Sequence, residues 1–516
     1  MQHSNPSHHR RQLIGSELGY SMLLRNALRQ IAGISWKGNP DTDISGISYD
    51  SRSVQRGDLF VAIRGEKTDG ALYVAQALEN GAAAVASEQQ IDPGKQAAAI
   101  LVADARQFLT EISQIFYGNP SAKLKLVGIT GTKGKTTTTY LLDSIYRSAG
   151  LRSCLGGTIE RKIGDRSFHS SHTTPESSDL LKFLNQAAAE GCTHGAMEVS
   201  SHSLALKRVF GTRFAVGVFT NLTLDHLDFH KDMETYFRAK QLLFSAENGN
   251  EVETAVINID DHFGKRLADE IHIPVLRFSF DNPAEIRVLE YQSRTDGSDL
   301  ELETPVGKIR FNMHLIGRPN IYNTMAATGA ALSLGISMKS IREGIDALKG
   351  VPGRMELVKE GQDYTVIVDY AHSPDSLDNL LKTVSRLPHE KIIVVFGCGG
   401  DRDRTKRPIM GEIAAKLGNF VIATSDNPRS EDPLAILNEI EPGLRMGSAP
   451  YKIVPDRREA IKSAISMASK GDAVVIAGKG HEDYQIIGKQ VIPFDDRKLA
   501  AELIRDRAAR SRGQLN

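Results

Sequence analysis

The 516-residue chain carries 63 basic and 63 acidic side chains, so no global field draws it to nucleic acid or to an anionic membrane. Its 41% hydrophobic content is that of an ordinary globular protein, and its length exceeds one core, so roughly two to four domains are expected. No apolar run approaches the roughly 20 residues that a bilayer demands. The cysteines Cys154, Cys192 and Cys398 are far apart, with no Cys-x-x-Cys pair for zinc and no disulfide framework; cytoplasmic residence is the expectation.

In chain order, residues 1–22 read as a polar, disordered tail without a signal-peptide core. Residues 57–63 and 82–86 read as strands, with a helix over 73–80 closed by Gly81. These belong to a small α/β domain, residues 1–122, that ends after the turn Gly118-Asn119-Pro120. A second domain, residues 123–350, alternates strands at 124–129, 195–199, 216–220 and 255–259 with helices, the last over 322–334; this argues for a mostly parallel sheet. The linker Gly350-Val351-Pro352-Gly353 opens a third domain, residues 351–516. There strands at 365–368, 392–396, 420–423 and 473–476 alternate with helices at 374–385, 408–417, 433–440, 457–469 and 496–509, the pattern of a doubly wound, Rossmann-like fold.

The strongest chemical signal follows the strand at 124–129. Gly128, Gly131 and Gly134 are spaced by three, then come Lys135 and Thr136 and a helix over 137–149. Strand, glycine loop, Lys-Thr, helix is the layout of a phosphate cradle. Lys135 is placed to reach β- and γ-phosphates and Thr136 to hold Mg²⁺. The strict pattern G-x-x-x-x-G-K-[ST] is not met, because Ile129 stands where its first glycine belongs.

Other strand ends carry polar groups. Glu198 ends one strand, where a second Mg²⁺ ligand is sought. Asp225, His226, Asp228 and His230 cluster after another; a hydrogen-bonded turn and a metal contact both account for them. In the helical pattern of residues 235–244, Lys240 shares a face with Phe237 and Phe244. Either its stem packs and its ammonium snorkels to solvent, or the lysine is chemically special. In the last domain four loops, around Asp369 and His372, 397–404, 424–433 and 477–484, converge on one rim for a polar ligand. Arg402 and Arg429 supply planar forks suited to carboxylates.

The sequence resembles the Mur ligases, ATP-dependent amide-bond-forming enzymes of cell-wall assembly. The resemblance covers the chain after about residue 23 and rests on Gly128–Thr137, Asp50-Ser51-Arg52, Gly57-Asp58-Leu59-Phe60, Thr173-Thr174-Pro175, Glu198–His202, Ala239-Lys240, Gly353–Glu356 and Asp426-Asn427-Pro428-Arg429. It accounts for the shifted glycines and implies a UDP-sugar domain, a central ATPase domain and an amino-acid domain. Within the family the chain is similar to members that add meso-diaminopimelate to UDP-N-acetylmuramoyl-L-alanyl-D-glutamate in peptidoglycan synthesis.

Site residues are carried over from that resemblance. ATP contacts are expected from Gly131, Thr132, Lys133, Gly134, Lys135, Thr136, Thr137, Asn320, Arg354, Asp369 and His372. Two Mg²⁺ sites are expected from Thr136, Glu198, His226 and Lys240, the last as a CO₂-derived carbamate; Lys135, Glu198, His226 and Lys240 form the catalytic set. The UDP-sugar dipeptide is expected at Tyr49, Ser51, Glu66, Lys67, Thr68, His172, Thr173, Thr174, Ser200, Leu206 and Arg208. His172 and Leu206 depart from the asparagine and glutamine often found there. Diaminopimelate is expected at Arg402, Asp426, Asn427, Pro428, Arg429, Gly478 and Glu482, with Arg429 pairing the distal carboxylate that lysine lacks. A monomer without nucleic-acid partner or membrane insertion is expected. A lysine-adding sister, a dipeptide-adding sister and a folylpolyglutamate-type ligase are the near alternatives, and a non-catalytic nucleotide-binding module is the distant one.

Overall fold

The computed structural model describes residues 20–65, 68–94, 97–170 and 172–513. Among them no helix is long and apolar enough to cross a membrane. The chain separates into two compact units. The first joins the segment up to Lys123 with Pro175–Gln186 and Ala205–Thr212, and the second holds the rest.

The first unit is built on a five-stranded sheet in the order Ser35–Lys37, Ala98–Leu101, Ala84–Ser87, Asp58–Val61, Gly46–Ser48, parallel except at Ser35–Lys37. The two-residue period of a strand sends Leu59 and Val61 into one core, with Phe108, Leu109 and Ile112 of helix Ala105–Phe116. Phe60 and Ala62 go to the opposite core, with Val74 and Ala77 of helix Val74–Glu79. Asp104 caps the first of these helices, accepting from the Arg106 and Gln107 amides. Glu176 accepts from both Arg106 and Arg208 at 3.2 Å, and the Lys207 carbonyl accepts from Thr110 Oγ1 at 3.0 Å. These contacts explain why two segments from beyond residue 123 belong to this unit.

The second unit contains an eleven-stranded and a six-stranded sheet. The middle of the larger runs parallel through Ser153–Gly156, His194–Glu198, Lys125–Thr130, Arg213–Phe219, Glu251–Asn258, Val275–Ser279 and Ile286–Ser293. Its two ends are antiparallel: Glu160–Ile163 with Arg166–His169, and Ile286–Ser293 with Ser298–Thr304 and Gly307–Met313. The alternation of strand and helix expected for this region misses these ends. Their sequence shows why they are hairpins: Ser298–Thr304 alternates buried and half-buried positions, the period of a sheet covered on one face.

The six-stranded sheet has the order Glu356–Leu357, Thr365–Asp369, Ala473–Ala477, Ile392–Phe396, Phe420–Ala423, Tyr451–Ile453, parallel except for its first strand. Val394 and Phe396 face one buried cluster and Ile393 and Val395 another, so helices cover both faces. The polar loops of interest lie at the carboxyl ends of these parallel strands, where open α/β sheets hold ligands.

Candidate active site

Strand Lys125–Thr130 runs into the glycine loop, and helix Lys135–Ser148 leaves it, starting two residues earlier than the sequence suggests. Gly134 caps the helix with φ +89°, and a Cβ there would stand 2.3 Å from Asn323 Oδ1. A Cβ on Gly131, at φ +146°, would stand 1.9 Å from Thr220 Oγ1. Both positions therefore require glycine. Residues 220–221 clamp the loop: Thr220 Oγ1 donates to the Lys133 carbonyl at 2.6 Å, and the Lys133 amide donates to Asn221 Oδ1 at 2.9 Å. Thr132 donates its amide to the Asn221 carbonyl at 2.9 Å, while Thr136 and Thr137 are buried in the first helical turn.

Two lysines meet under this loop. Lys135 Nζ donates to the carbonyls of Gly131 at 2.8 Å and Thr132 at 3.0 Å. Lys240 Nζ donates to the same Gly131 carbonyl at 2.8 Å and lies 4.7 Å from the centre of the Tyr236 ring. Lys240 is 1% exposed, so its ammonium does not snorkel to solvent. Burial pushes the Lys240 amine well below its ordinary range, and the charge of Lys135 pushes the same way. Burial also lowers Lys135, with Glu198 opposing.

Glu198 ends strand His194–Glu198 and is buried. Its Oε1 accepts from the Thr158 amide at 2.7 Å and its Oε2 from the Thr158 hydroxyl at 3.1 Å. Thr173 Oγ1 lies 3.0 Å from that hydroxyl, and Thr174 Oγ1 donates to the Glu198 carbonyl at 2.9 Å and accepts from the Ser200 amide at 3.1 Å. His226, with φ +54°, follows strand Arg213–Phe219, half-exposed and lowered by burial. His230 Nε2 lies 2.9 Å from Ser201 Oγ, and its ring stacks on Tyr236. Among the described residues no group of three or more His, Cys, Asp or Glu is arranged to hold a metal. Mg²⁺ takes one or two carboxylates and completes its shell with water and phosphate oxygens. A hydroxyl from Thr136 with the Glu198 carboxylate fits such a shell.

The smaller sheet contributes from its own strand ends. Asp369 accepts from the Met355 amide at 2.7 Å and the Ala371 amide at 2.8 Å, and burial raises its carboxyl. The Arg354 guanidinium lies 4.8 Å from the Tyr370 ring centre and reaches Thr136 Oγ1 at 3.5 Å. His372 Nδ1 is 2.8 Å from the Tyr370 carbonyl, and burial lowers its pKa. Asn320 donates to the Ile316 carbonyl at 2.8 Å and accepts from Asn323 at 3.0 Å, the residue that faces Gly134. Asp375, which the sequence reading overlooked, forms an ion pair with Lys133.

On the same rim Arg429 takes φ +54°, donates Nη1 to the Gly400 carbonyl at 2.8 Å and pairs its backbone with Ile486. Asn427 donates to Glu482 Oε2 at 2.8 Å, and Gln485 donates to the Asp426 carbonyl at 2.7 Å. A Cβ on Gly478 would stand 2.5 Å from Asp426 Oδ2, while Pro428 is buried. Arg402 is exposed and donates to the neighbouring Asp401 carbonyl at 3.1 Å, so it is not built into this network.

Within the first unit Tyr49 donates to Asp179 at 2.8 Å, Ser51 to Gln76 at 2.7 Å, and Thr68 lies 3.1 Å from the Tyr73 hydroxyl. Leu206 is half-buried there and Arg208 pairs with Glu176. His172, in the second unit, is exposed; Glu66 and Lys67 lie outside the described residues. Sequence reasoning missed Thr158, Tyr236 and Lys479. Only Lys479 carried a signal, as a charged residue between two glycines in a strand-end loop.

Three family descriptions match the chain: "Mur ligase family, catalytic domain" over residues 43–117, "Mur ligase middle domain" over 129–331 and "Mur ligase, glutamate ligase domain" over 353–480. The UDP-N-acetylmuramoyl-L-alanyl-D-glutamate--2,6-diaminopimelate ligase of Syntrophomonas wolfei is 47% identical over 91% of this chain and 96% of its own length. The enzyme of that name from Solibacter usitatus is 46% identical over 90% and 94%. A solved structure of an enzyme with that name is 33% identical, with a TM-score of 0.69 over 95% of this chain and 99% of its own. A D-alanyl-D-alanyl-adding ligase from Acinetobacter baumannii shares the fold at 19% identity and a TM-score of 0.63, over 95% of this chain and 100% of its own.

Proposed function

The chain belongs to the Mur ligase family, and we infer from this that it joins meso-diaminopimelate to UDP-N-acetylmuramoyl-L-alanyl-D-glutamate at the expense of ATP, in the cytoplasm, as a step of peptidoglycan synthesis. The free carboxylate of the D-glutamate residue takes the γ-phosphoryl group of ATP. The amine of the incoming amino acid attacks the acyl phosphate, and phosphate leaves.

The amides of Gly134 to Thr137 at the start of the helix and the Lys135 ammonium are suited to cradle the phosphates, since the amides of Thr132 and Lys133 are held by Asn221. Bound Mg²⁺ would neutralise charge on the transferring group. Thr136 and Glu198 are the residues we assign to one ion, and His226 with a modified Lys240 to the second. The support for a carbamate is electrostatic. Two buried lysine side chains share the Gly131 carbonyl, and burial together with the Lys135 charge shifts Lys240 towards the neutral amine, the form that attacks CO₂. A carboxylate on Lys240 turns its repulsion with Lys135 into attraction.

Asp369, Arg354, His372 and Asn320 we assign to the nucleotide, Tyr49, Ser51, Glu66, Lys67 and Thr68 to the uridine nucleotide, and Thr173, Thr174, Ser200 and Arg208 to the muramoyl-dipeptide; His172 and Leu206 remain in the proposed set for the same ligand. Asp426, Asn427, Pro428, Arg429, Gly478, Glu482 and Arg402 make the amino-acid set. The observation that carries diaminopimelate over lysine is Arg429, held by Gly400 within the network that also fixes Glu482: an arginine for the distal carboxylate and a carboxylate for the distal amine.

The test is phosphate release with UDP-muramoyl-dipeptide and diaminopimelate, lysine or glutamate side by side. Release is expected only with the dipeptide and diaminopimelate together. Equal turnover with lysine, or release without an amino acid, would remove the assignment.

A further inference from the structure

Lys479 occupies the loop after strand Ala473–Ala477, and its side chain is 0% exposed. Its Nζ donates to Glu482 Oε2 at 3.0 Å and Asn427 Oδ1 at 3.2 Å, and lies 5.4 Å from the Tyr484 ring centre. Asn427 Nδ2 donates to the same Glu482 oxygen at 2.8 Å, and the Ile486 amide donates to Asn427 Oδ1 at 3.0 Å. With two donors facing Oδ1, the orientation of the Asn427 amide is settled by chemistry, since an amide nitrogen in that place would confront donors only.

This triad uses Oε2 of Glu482 and Oδ1 of Asn427. It leaves Oε1 of Glu482 and the second N–H of the Asn427 amide outside it. An anionic acceptor beside a neutral donor matches a carbon that bears both an ammonium and a carboxylate. Lys479 is buried behind these two side chains, and its charge opposes that of Glu482. Without the lysine, Glu482 loses its counter-charge and Asn427 loses one of the two donors that fix its amide.

We propose that Lys479 is a positioning residue for substrate choice: it locks Glu482 and Asn427 in the arrangement that presents an acceptor and a donor to the amine-and-carboxylate end of the incoming amino acid. The proposal rests on the reading of this loop cluster as the amino-acid site.

Full-length wild type, K479M, K479Q, E482Q and the double variant K479M/E482Q test it, with KM for diaminopimelate, KM for ATP, kcat and Tm measured for each. K479M is expected to raise KM for diaminopimelate roughly 30-fold, the scale of a lost charge-assisted contact in a site, with KM for ATP unchanged. K479Q, which keeps a donor, recovers part of that loss. Because Lys479 acts through Glu482, the double variant binds diaminopimelate no worse than E482Q alone. Unchanged KM for diaminopimelate in K479M, an equal loss in every kinetic constant, or a double variant whose defect is the sum of the two singles would overturn the proposal. If K479M does not fold, K479Q and E482Q carry the same comparison: a K479Q with wild-type KM for diaminopimelate overturns it. A wild type that does not turn over diaminopimelate overturns the underlying site reading as well, which separates the two failures.

Discussion

The phosphate loop and the amino-acid rim are both strand-end sites on parallel sheets of one unit, yet they are built differently. Residues 128–137 form one continuous cradle, clamped by Thr220 and Asn221 and contacted by Lys240. The rim is assembled from segments around 400, 426–429 and 478–487, tied by side chains to backbone groups far along the chain. A local site constrains chemistry through glycine and backbone amides. A dispersed one constrains it through buried polar networks, in which one lost partner leaves the others unsatisfied. Damage to the first should cost the phosphoryl step, and damage to the second the choice of amino acid.

The largest effect is expected at the buried lysine that reaches the cradle from helix Met233–Gln241. Lys240→Ala should lower kcat by roughly 10²–10³-fold, the scale of losing one preorganised charged group at a reacting centre. Added acetate or formate should restore part of the rate if a carbamate is what is missing. Full activity without additive would detach Lys240 from the reaction. Arg429→Ala is the counterpart on the rim. It should raise KM for diaminopimelate by at least about 2 kcal/mol, or roughly 30-fold, and leave KM for ATP alone. A parallel rise in KM for ATP would mean that the two sites are not separable.

The same contrast explains what was legible in the sequence. The cradle was read from contiguous residues, and its glycines occupy positions where a Cβ would strike Thr220 and Asn323. Arg429 was read as a charged residue at a strand end and Glu482 was carried over from the family resemblance, but Lys479 was not singled out: its place between two glycines in a strand-end loop was a signal, and its full burial was not readable from sequence. Ion pairing of Lys133 with Asp375 was equally invisible, since nothing local relates residues 242 positions apart. The antiparallel hairpins at both ends of the larger sheet went unread because attention to strand–helix alternation hides short amphipathic strands. In the first unit, the ion pairs of Glu176 with Arg106 and Arg208 join residues distant in sequence, which no local pattern announces.

A pH scan probes the rim through stability. Burial, with the nearby Arg354 charge, pushes His481 down to about 3, against an ordinary value of 6.5. The unfolded chain therefore binds a proton that the folded chain refuses, between pH 6.5 and 3. Stability from this group is complete above pH 6.5 and is lost as pH falls towards 3. His481→Gln should flatten the acid side of a plot of Tm against pH by a few degrees, about the shift that 1–2 kcal/mol gives in a chain of this size. An unaltered acid limb would assign that loss to other groups.

The smallest effect is expected where the two sheets touch. Lys133 of the cradle pairs with Asp375 at the start of helix Pro374–Val384, and Thr223 Oγ1 donates to the same carboxylate at 3.3 Å. Both charged partners are about one-third exposed, so the pair contributes about 0.2–1 kcal/mol. On the proposed reading of Lys133 as a nucleotide contact, the Asp375 carboxylate competes with phosphate for its ammonium. Asp375→Asn should therefore lower KM for ATP, by no more than about fivefold, since that ratio corresponds to about 1 kcal/mol. A raised KM would reverse the role: Asp375 would then be aiming Lys133 at the nucleotide, and the local cradle would depend on the distant sheet as the rim depends on Lys479.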